Sequence, residues 1–321
     1  MNRIASIALT AFLILQGATA SAEGWQQPSG AEQVALWPDA IKIAHPEVDG
    51  PERTELGKGP RPALWVYNVT WPTMTIFRPR KNDTAAAVLV FPGGGYNALA
   101  IDLEGTEICD WLTAKGITCA VLKYRVPGSG HHFDKACKCA RIPAVPMALQ
   151  DAQRAMVLLR ARAKELGIDP GKIGVLGGSA GGHLATAISN SDSLSYAPVD
   201  AADSLSARPD FAIVLYPGHL WSGPALERHA FNHFSKSAPP TFILHAQDDP
   251  VDNVRESLVY FLALTEAEIP TEMHIYAHGG HGFGLRRTEQ PITHWTDLAE
   301  TWLSTIGILK IQPQAPAARA D

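Results

Sequence analysis

A chain of 321 residues in which 46% of the side chains are apolar has ample material for one large buried core, and its length suits a single large α/β domain. Its 27 Lys and Arg against 32 Asp and Glu give a net charge of −5 with no long basic block. Nucleic acid is therefore an unsuitable partner, because displacing counterions from phosphates requires clustered cations.

Residues 1–22 have the three parts of a secretory signal: Arg3, an apolar stretch from Ile4 to Leu15, and the small residues Ala20-Ser21-Ala22 before Glu23. The apolar stretch is shorter than the roughly 20 residues that span a bilayer, so cleavage and a periplasmic or secreted product, free of the membrane, are expected. Residues 23–61 are rich in Pro, Gly and charge and read as an irregular arm. A catalytic domain is expected over 62–309, and a disordered tail rich in Ala and Pro over 310–321. The four cysteines, Cys109, Cys119, Cys137 and Cys139, would meet an oxidising environment after export, but spacing leaves their pairing open. His131 and His132 precede Cys137 and Cys139 at a spacing that matches no usual zinc pattern, so no metal site is expected there.

From Trp65 to Phe77 the alternation suits a hairpin or a pair of strands broken at Pro72. Ala86 to Phe91 reads as a strand, Glu104 to Lys115 as a helix, Ile117 to Tyr124 as a strand, and Val145 to Leu166 as a long amphipathic helix stopped by Gly167 and Pro170. Strands follow at Ile173 to Leu176, Phe211 to Tyr216, Thr241 to His245 and Glu272 to Tyr276. Helices are expected from Gly182 to about Ser189, near Val254 to Glu268, and near Ile292 to Ile306. Regular alternation predicts an α/β fold with a mostly parallel central sheet covered by helices on both faces, its functional residues at the carboxyl ends of strands.

Three such ends carry reactive residues. Gly177-Gly178-Ser179-Ala180-Gly181 lies between an apolar strand and a small-residue helix and reads as a nucleophile elbow, whose strained turn lifts the serine hydroxyl clear of the sheet. A serine hydroxyl needs a base, and the base needs a group that fixes its tautomer. Asp249 and His281 supply these in the order Ser, Asp, His of the α/β hydrolases, with Asp248 and His278 as neighbouring competitors. After the strand ending at Phe91, Pro92-Gly93-Gly94-Gly95-Tyr96 can present the amides of Gly94 and Gly95 or Tyr96, with that of Ala180, to an oxyanion. Tyr96, Trp221 and Phe283 lie in loops expected to border the site and stack on sugar rings, and the long polar stretch from Ser129 to Arg141 is a candidate substrate rim.

From about Trp65 to Ile306 the chain resembles α/β-hydrolase esterases of the acetyl xylan esterase and BD-FAE type, relatives of the prolyl oligopeptidases. The resemblance is carried by Pro92 to Tyr96, Asp102-Leu103-Glu104-Gly105, Tyr124-Arg125-Val126, Ala148 to Arg154, Gly174 to Ala185, Asp249 to Val251 and His281 to Phe283. It favours Asp249 over Asp248 and His281 over His278, and it implies two-step acyl transfer on short-chain, especially acetyl, esters of plant cell-wall polysaccharide, without metal or organic cofactor. Members often carry a histidine before the oxyanion glycines, where this chain has Pro92. Two alternatives compete. A serine peptidase would share the catalytic order, but the arm is too short for the β-propeller of such peptidases; a catalytically dead carbohydrate-binding fold would usually have lost a triad residue.

Overall fold

The computed structural model describes residues 24–82, 84–126, 133–134, 139–140, 145–222, 226–228 and 233–310. The expected signal, the tail beyond residue 310, Cys137, His131, His132 and most of the 129–141 rim lie outside these residues.

Eight strands form the central sheet: β1 (Glu32–Ala35), β2 (Thr73–Phe77), β3 (Ala87–Phe91), β4 (Thr118–Lys123), β5 (Ile173–Gly178), β6 (Ala212–Leu215), β7 (Thr241–Ala246) and β8 (Thr271–Tyr276), in the spatial order β1-β2-β4-β3-β5-β6-β7-β8. Only β2 runs against its neighbours β1 and β4; every other pairing is parallel. Every residue of β3 through β7 is buried. Since consecutive side chains on a strand point to opposite faces, unbroken burial requires cover on both.

The cover comes from five helices: α1 (Glu107–Ala114), α2 (Pro146–Ala161), α3 (Ala180–Ser189), α4 (Arg255–Glu266) and α5 (Trp295–Thr305). Helices α1 and α5 meet through the edge-to-face rings of Trp111 and Trp295, 5.3 Å between centroids, and through a hydrogen bond from Trp111 Nε1 to Glu300. Trp302 of α5 packs on Phe211 and Phe242 of the sheet. Helix α2 packs on α3, and Asn190, which follows α3, donates to the Tyr260 hydroxyl of α4.

Arg125, beyond the end of β4, is fully buried, with Nε and Nη2 on the Asp151 carboxylate of α2. Trp37 Nε1 and the Arg125 amide donate to the same carboxylate, and Arg125 Nη1 donates to the Ala44 carbonyl. A buried ion pair is tolerable only when its remaining hydrogen-bonding capacity is filled. Here that requirement fastens the leading arm and α2 to the sheet. Burial pushes the Asp151 carboxyl up, against the pull of the Arg125 contacts.

Two expectations need correction, and one pair of alternatives is decided. The leading arm is not wholly irregular, because Glu32–Ala35 is the edge strand β1 and Arg53–Leu56 pairs with Leu64–Tyr67. Leu64–Tyr67 and β2 are two strands but no hairpin: the former belongs to a three-stranded sheet with Arg53–Leu56 and Ala98–Ala100. The long helix breaks at Arg162 and resumes over Ala163–Leu166, closing on Gly167 in the left-handed conformation.

Cys109 of α1 and Cys119 of β4 form a disulfide across ten residues, and both are buried. Closing a loop of that size constrains the unfolded chain and contributes about 2–3 kcal/mol. The C109A/C119A variant should show a urea midpoint lowered by at least that much stability. An unchanged midpoint would mean the bridge contributes nothing.

Candidate active site

Ser179 follows β5 directly and opens α3 with φ 53° and ψ −123°, a conformation costly for a residue with a side chain and therefore one the surroundings must enforce. They do so by backbone contact. A Cβ on Gly181 would lie 1.9 Å from the Phe91 carbonyl oxygen, and one on Gly177 would lie 2.1 Å from the Gly181 carbonyl oxygen. Only glycine lets β3, β5 and α3 approach this closely. The Ser179 amide donates to the Leu215 carbonyl at 3.1 Å, and its carbonyl accepts from His183 at 3.0 Å, which fixes both sides of the turn.

Asp249 lies just past β7 with its side chain wholly buried; its Oδ2 accepts from His281 Nδ1 at 2.6 Å. Its Oδ1 accepts the amides of Val251 and Asp252, and His245 Nε2 lies 3.4 Å from Oδ2. Burial opposes the charge on Asp249, but the hydrogen bonds from His245 and His281 outweigh it and hold the carboxyl below its usual range. His281 sits in the loop after β8, which Arg286 ties to α1 through Glu107 Oε1 at 2.6 Å and to the turn before α1 through Asp102 Oδ2 at 3.0 Å. The competing pair takes another role. Asp248 and His278 are exposed and face each other at 3.1 Å, and Asp248 accepts the amides of Gly279 and Gly280, shaping the turn that leads to His281.

One carboxylate was not foreseen from the sequence. Asp252 Oδ2 accepts from Ser179 Oγ at 3.4 Å and lies 3.8 Å from His281 Nε2, so the hydroxyl and the imidazole flank the same oxygen. The signal for it was its place three residues after Asp249, on the same tight turn. His245 was likewise read only as the end of a strand; it donates to the Asp252 carbonyl and accepts from Ser257.

Gly93 lies against the elbow: a Cβ there would be 3.0 Å from Ser179 Cβ. The Gly93 amide is spent on Glu104 Oε2 at 2.7 Å. Among the described residues, neither the Gly94 nor the Gly95 amide has an acceptor within the protein. Ala180, the first residue of α3, carries one of the amides that a helix start leaves unpaired. Gly94, at φ 138°, packs on the Ala98 carbonyl so closely that a Cβ would meet its oxygen at 2.0 Å. Glu104 is buried beneath this loop, with Oε1 accepting from the Tyr216 hydroxyl at 2.9 Å. Burial pushes its carboxyl up, while His281 and the Tyr216 hydrogen bond pull the other way.

Two of the expected sugar-facing aromatics are misassigned. Tyr96 is fully buried, because its hydroxyl is hydrogen-bonded to His183 Nδ1 at 2.7 Å and clamps the glycine loop to α3. Phe283 is buried edge-on against Tyr216, 4.6 Å between centroids, and Tyr216 in turn supports His281 at 5.0 Å. Neither ring face is open to stack on a sugar. Trp221 is half-buried, with the Arg255 guanidinium 5.2 Å from its ring, and its amide donates to Glu256 Oε2 at 2.6 Å.

Ser179 Oγ and His281 Nε2 border the same oxygen, Asp252 Oδ2, at 3.4 and 3.8 Å, and the hydroxyl's hydrogen bond goes to that carboxylate rather than to the imidazole. Burial favours neutral His281, but Asp249, then Asp252 and Glu104, more than offset it and raise its pKa above the ordinary 6.5. A base is lost when it is protonated, so the acid limb of kcat/KM for ester hydrolysis should fall above pH 6.5. D252N, which removes one of the negative charges raising it, should move that limb to lower pH. A limb that stays in place would contradict this electrostatic account.

The BD-FAE family matches residues 74–197, which include Gly93, Gly94, Gly95 and Ser179. The acetyl ester-xyloside bifunctional hydrolase of Caldicellulosiruptor lactoaceticus is 30% identical, with a TM-score of 0.68 over 87% of this chain and 97% of that one. Thermogutta terrifontis esterase 2, solved as its adduct phosphonylated by cyclosarin, is 26% identical, with a TM-score of 0.62 over 83% of this chain and 98% of that one. The acetylxylan esterase of Xylanibacter ruminicola is 30% identical over 237 residues, 66% of this chain and 44% of that protein. The chain thus spans less than half the length of this curated relative. The glycine-flanked serine turn, the α/β-hydrolase sheet order and these similarities together establish that the chain belongs to the BD-FAE family of α/β-hydrolase esterases.

Proposed function

We propose that this protein is an exported serine carboxylesterase that removes short acyl groups, acetyl above all, from hydroxyls of plant cell-wall polysaccharide such as xylan. In this reading His281, oriented by Asp249, takes the proton of Ser179 as its oxygen attacks the ester carbonyl. The carbonyl oxygen gains charge and is received by the amides of Gly94, Gly95 and Ala180. His281 then gives the proton to the departing alcohol, leaving an acyl group on Ser179. Water repeats the sequence and releases the acid.

The observation that carries this reading is the buried Asp249 carboxylate held 2.6 Å from His281 Nδ1, at the same end of the sheet as a strained serine. The choice of acetyl and xylan rests on the relatives, one an acetylxylan esterase and one an acetyl ester-xyloside hydrolase. Export is supported by the leader pattern of residues 1–22 and by the Cys109–Cys119 disulfide, a bond characteristic of oxidising compartments.

Acetate release from acetylated xylan tests the reading. The wild type should release acetate, and S179A should be slower by about four to six orders of magnitude. Preference for a peptide anilide over a short ester would instead make the protein a peptidase. Polysaccharide binding without turnover of any ester would make it a binding module.

A further inference from the structure

In acyl transfer the leaving alcohol takes its proton from the imidazole nitrogen that faces the nucleophile, so its oxygen must come close to both Ser179 Oγ and His281 Nε2. The group that flanks both atoms is the Asp252 carboxylate, at 3.4 Å and 3.8 Å. Its backbone is anchored on both sides, by its amide on Asp249 Oδ1 and by its carbonyl on His245 Nε2. Gly218 backs the carboxylate so closely that a Cβ there would meet Oδ1 at 2.5 Å. The side chain is only 15% exposed. Among the described residues, its carboxylate receives a single hydrogen bond, from Ser179.

That single donor is withdrawn when Ser179 turns to attack, and His281 Nε2, 3.8 Å from the same oxygen, lies beyond hydrogen-bond distance. A largely buried carboxylate left without a donor is costly, and a site shaped around such a group rejects substrates that cannot supply one. A simple alkyl alcohol has no second hydroxyl to offer. A sugar acylated at one hydroxyl carries another on the adjacent carbon, next to the ester oxygen.

We propose that Asp252 is a specificity-determining residue that accepts a hydrogen bond from a hydroxyl adjacent to the acylated oxygen, selecting esters of vicinal diols such as sugar rings over esters of simple alcohols. The inference rests on the serine esterase reading above and deepens it by naming the part of the alcohol that is recognised.

Two acetates that differ by one hydroxyl, 2-hydroxyethyl acetate and ethyl acetate, test it in the wild type, D252A and D252N. The readout is the ratio of kcat/KM for the hydroxylated ester to that for the plain one. Because it is taken within each protein, it is insensitive to any loss of folded enzyme. The wild-type ratio should exceed that of D252A by about tenfold or more, the discrimination expected of a hydrogen bond to a charged acceptor. D252N, which keeps one carbonyl acceptor without the charge, should fall between the two. Equal ratios in wild type and D252A, with both esters slowed alike, would overturn the inference and leave the esterase reading standing. Absence of turnover on both esters by the wild type would overturn both.

Discussion

The site depends on how closely backbone meets backbone where β5 becomes α3. The approach of Gly181 to the Phe91 carbonyl, and of Gly177 to Gly181, leaves no room for a Cβ and holds Ser179 at a positive φ. The cost of that conformation is borne by the packed sheet, since β3 and β5 are buried throughout and rigidly paired. The same close approach brings Gly93 against Ser179 Cβ, so the elbow and the glycine loop are placed by one set of contacts. The clamp from Tyr96 to His183 then keeps the loop on the helix that the elbow begins.

Around this frame the electrostatics are unusual for their density of acid. Three carboxylates act on one imidazole: Asp249 at Nδ1, Asp252 near Nε2, and Glu104 buried beneath the glycine loop. They are not equivalent. Asp249 receives hydrogen bonds enough to remain charged despite its burial, whereas burial dominates at Asp252 and Glu104 and raises both. In the proposed reaction the first would favour the imidazolium of His281; the other two lie where their charge is less well supported and responds more to what binds beside them.

Much of this was legible in the sequence because it depends on local spacing. Glycines around Ser179, apolar runs of strand length, and polar residues just past their ends place the sheet and the three reactive loops without reference to distant contacts. What escaped depends on how loops close. Asp252 follows Asp249 by three residues, and only the turn that folds its amide onto Asp249 Oδ1 directs its carboxylate back to Ser179. Tyr96 was misread because an aromatic in a glycine loop looks exposed until α3 supplies His183 as a partner. Strand β1 escaped for the opposite reason: three of its four residues are exposed, so it is held by backbone pairing with β2 and leaves little apolar pattern to read.

In the proposed reaction Ser179 is made a reactive nucleophile by His281, which Asp249 orients. Covalent labelling tests this most directly: the protein is treated with a fluorophosphonate and the adduct is located by peptide mass mapping. The account predicts one adduct, on Ser179, formed quickly in the wild type and lost or strongly slowed in H281A. An adduct on a different residue, or labelling of Ser179 at the same rate in H281A, would contradict it.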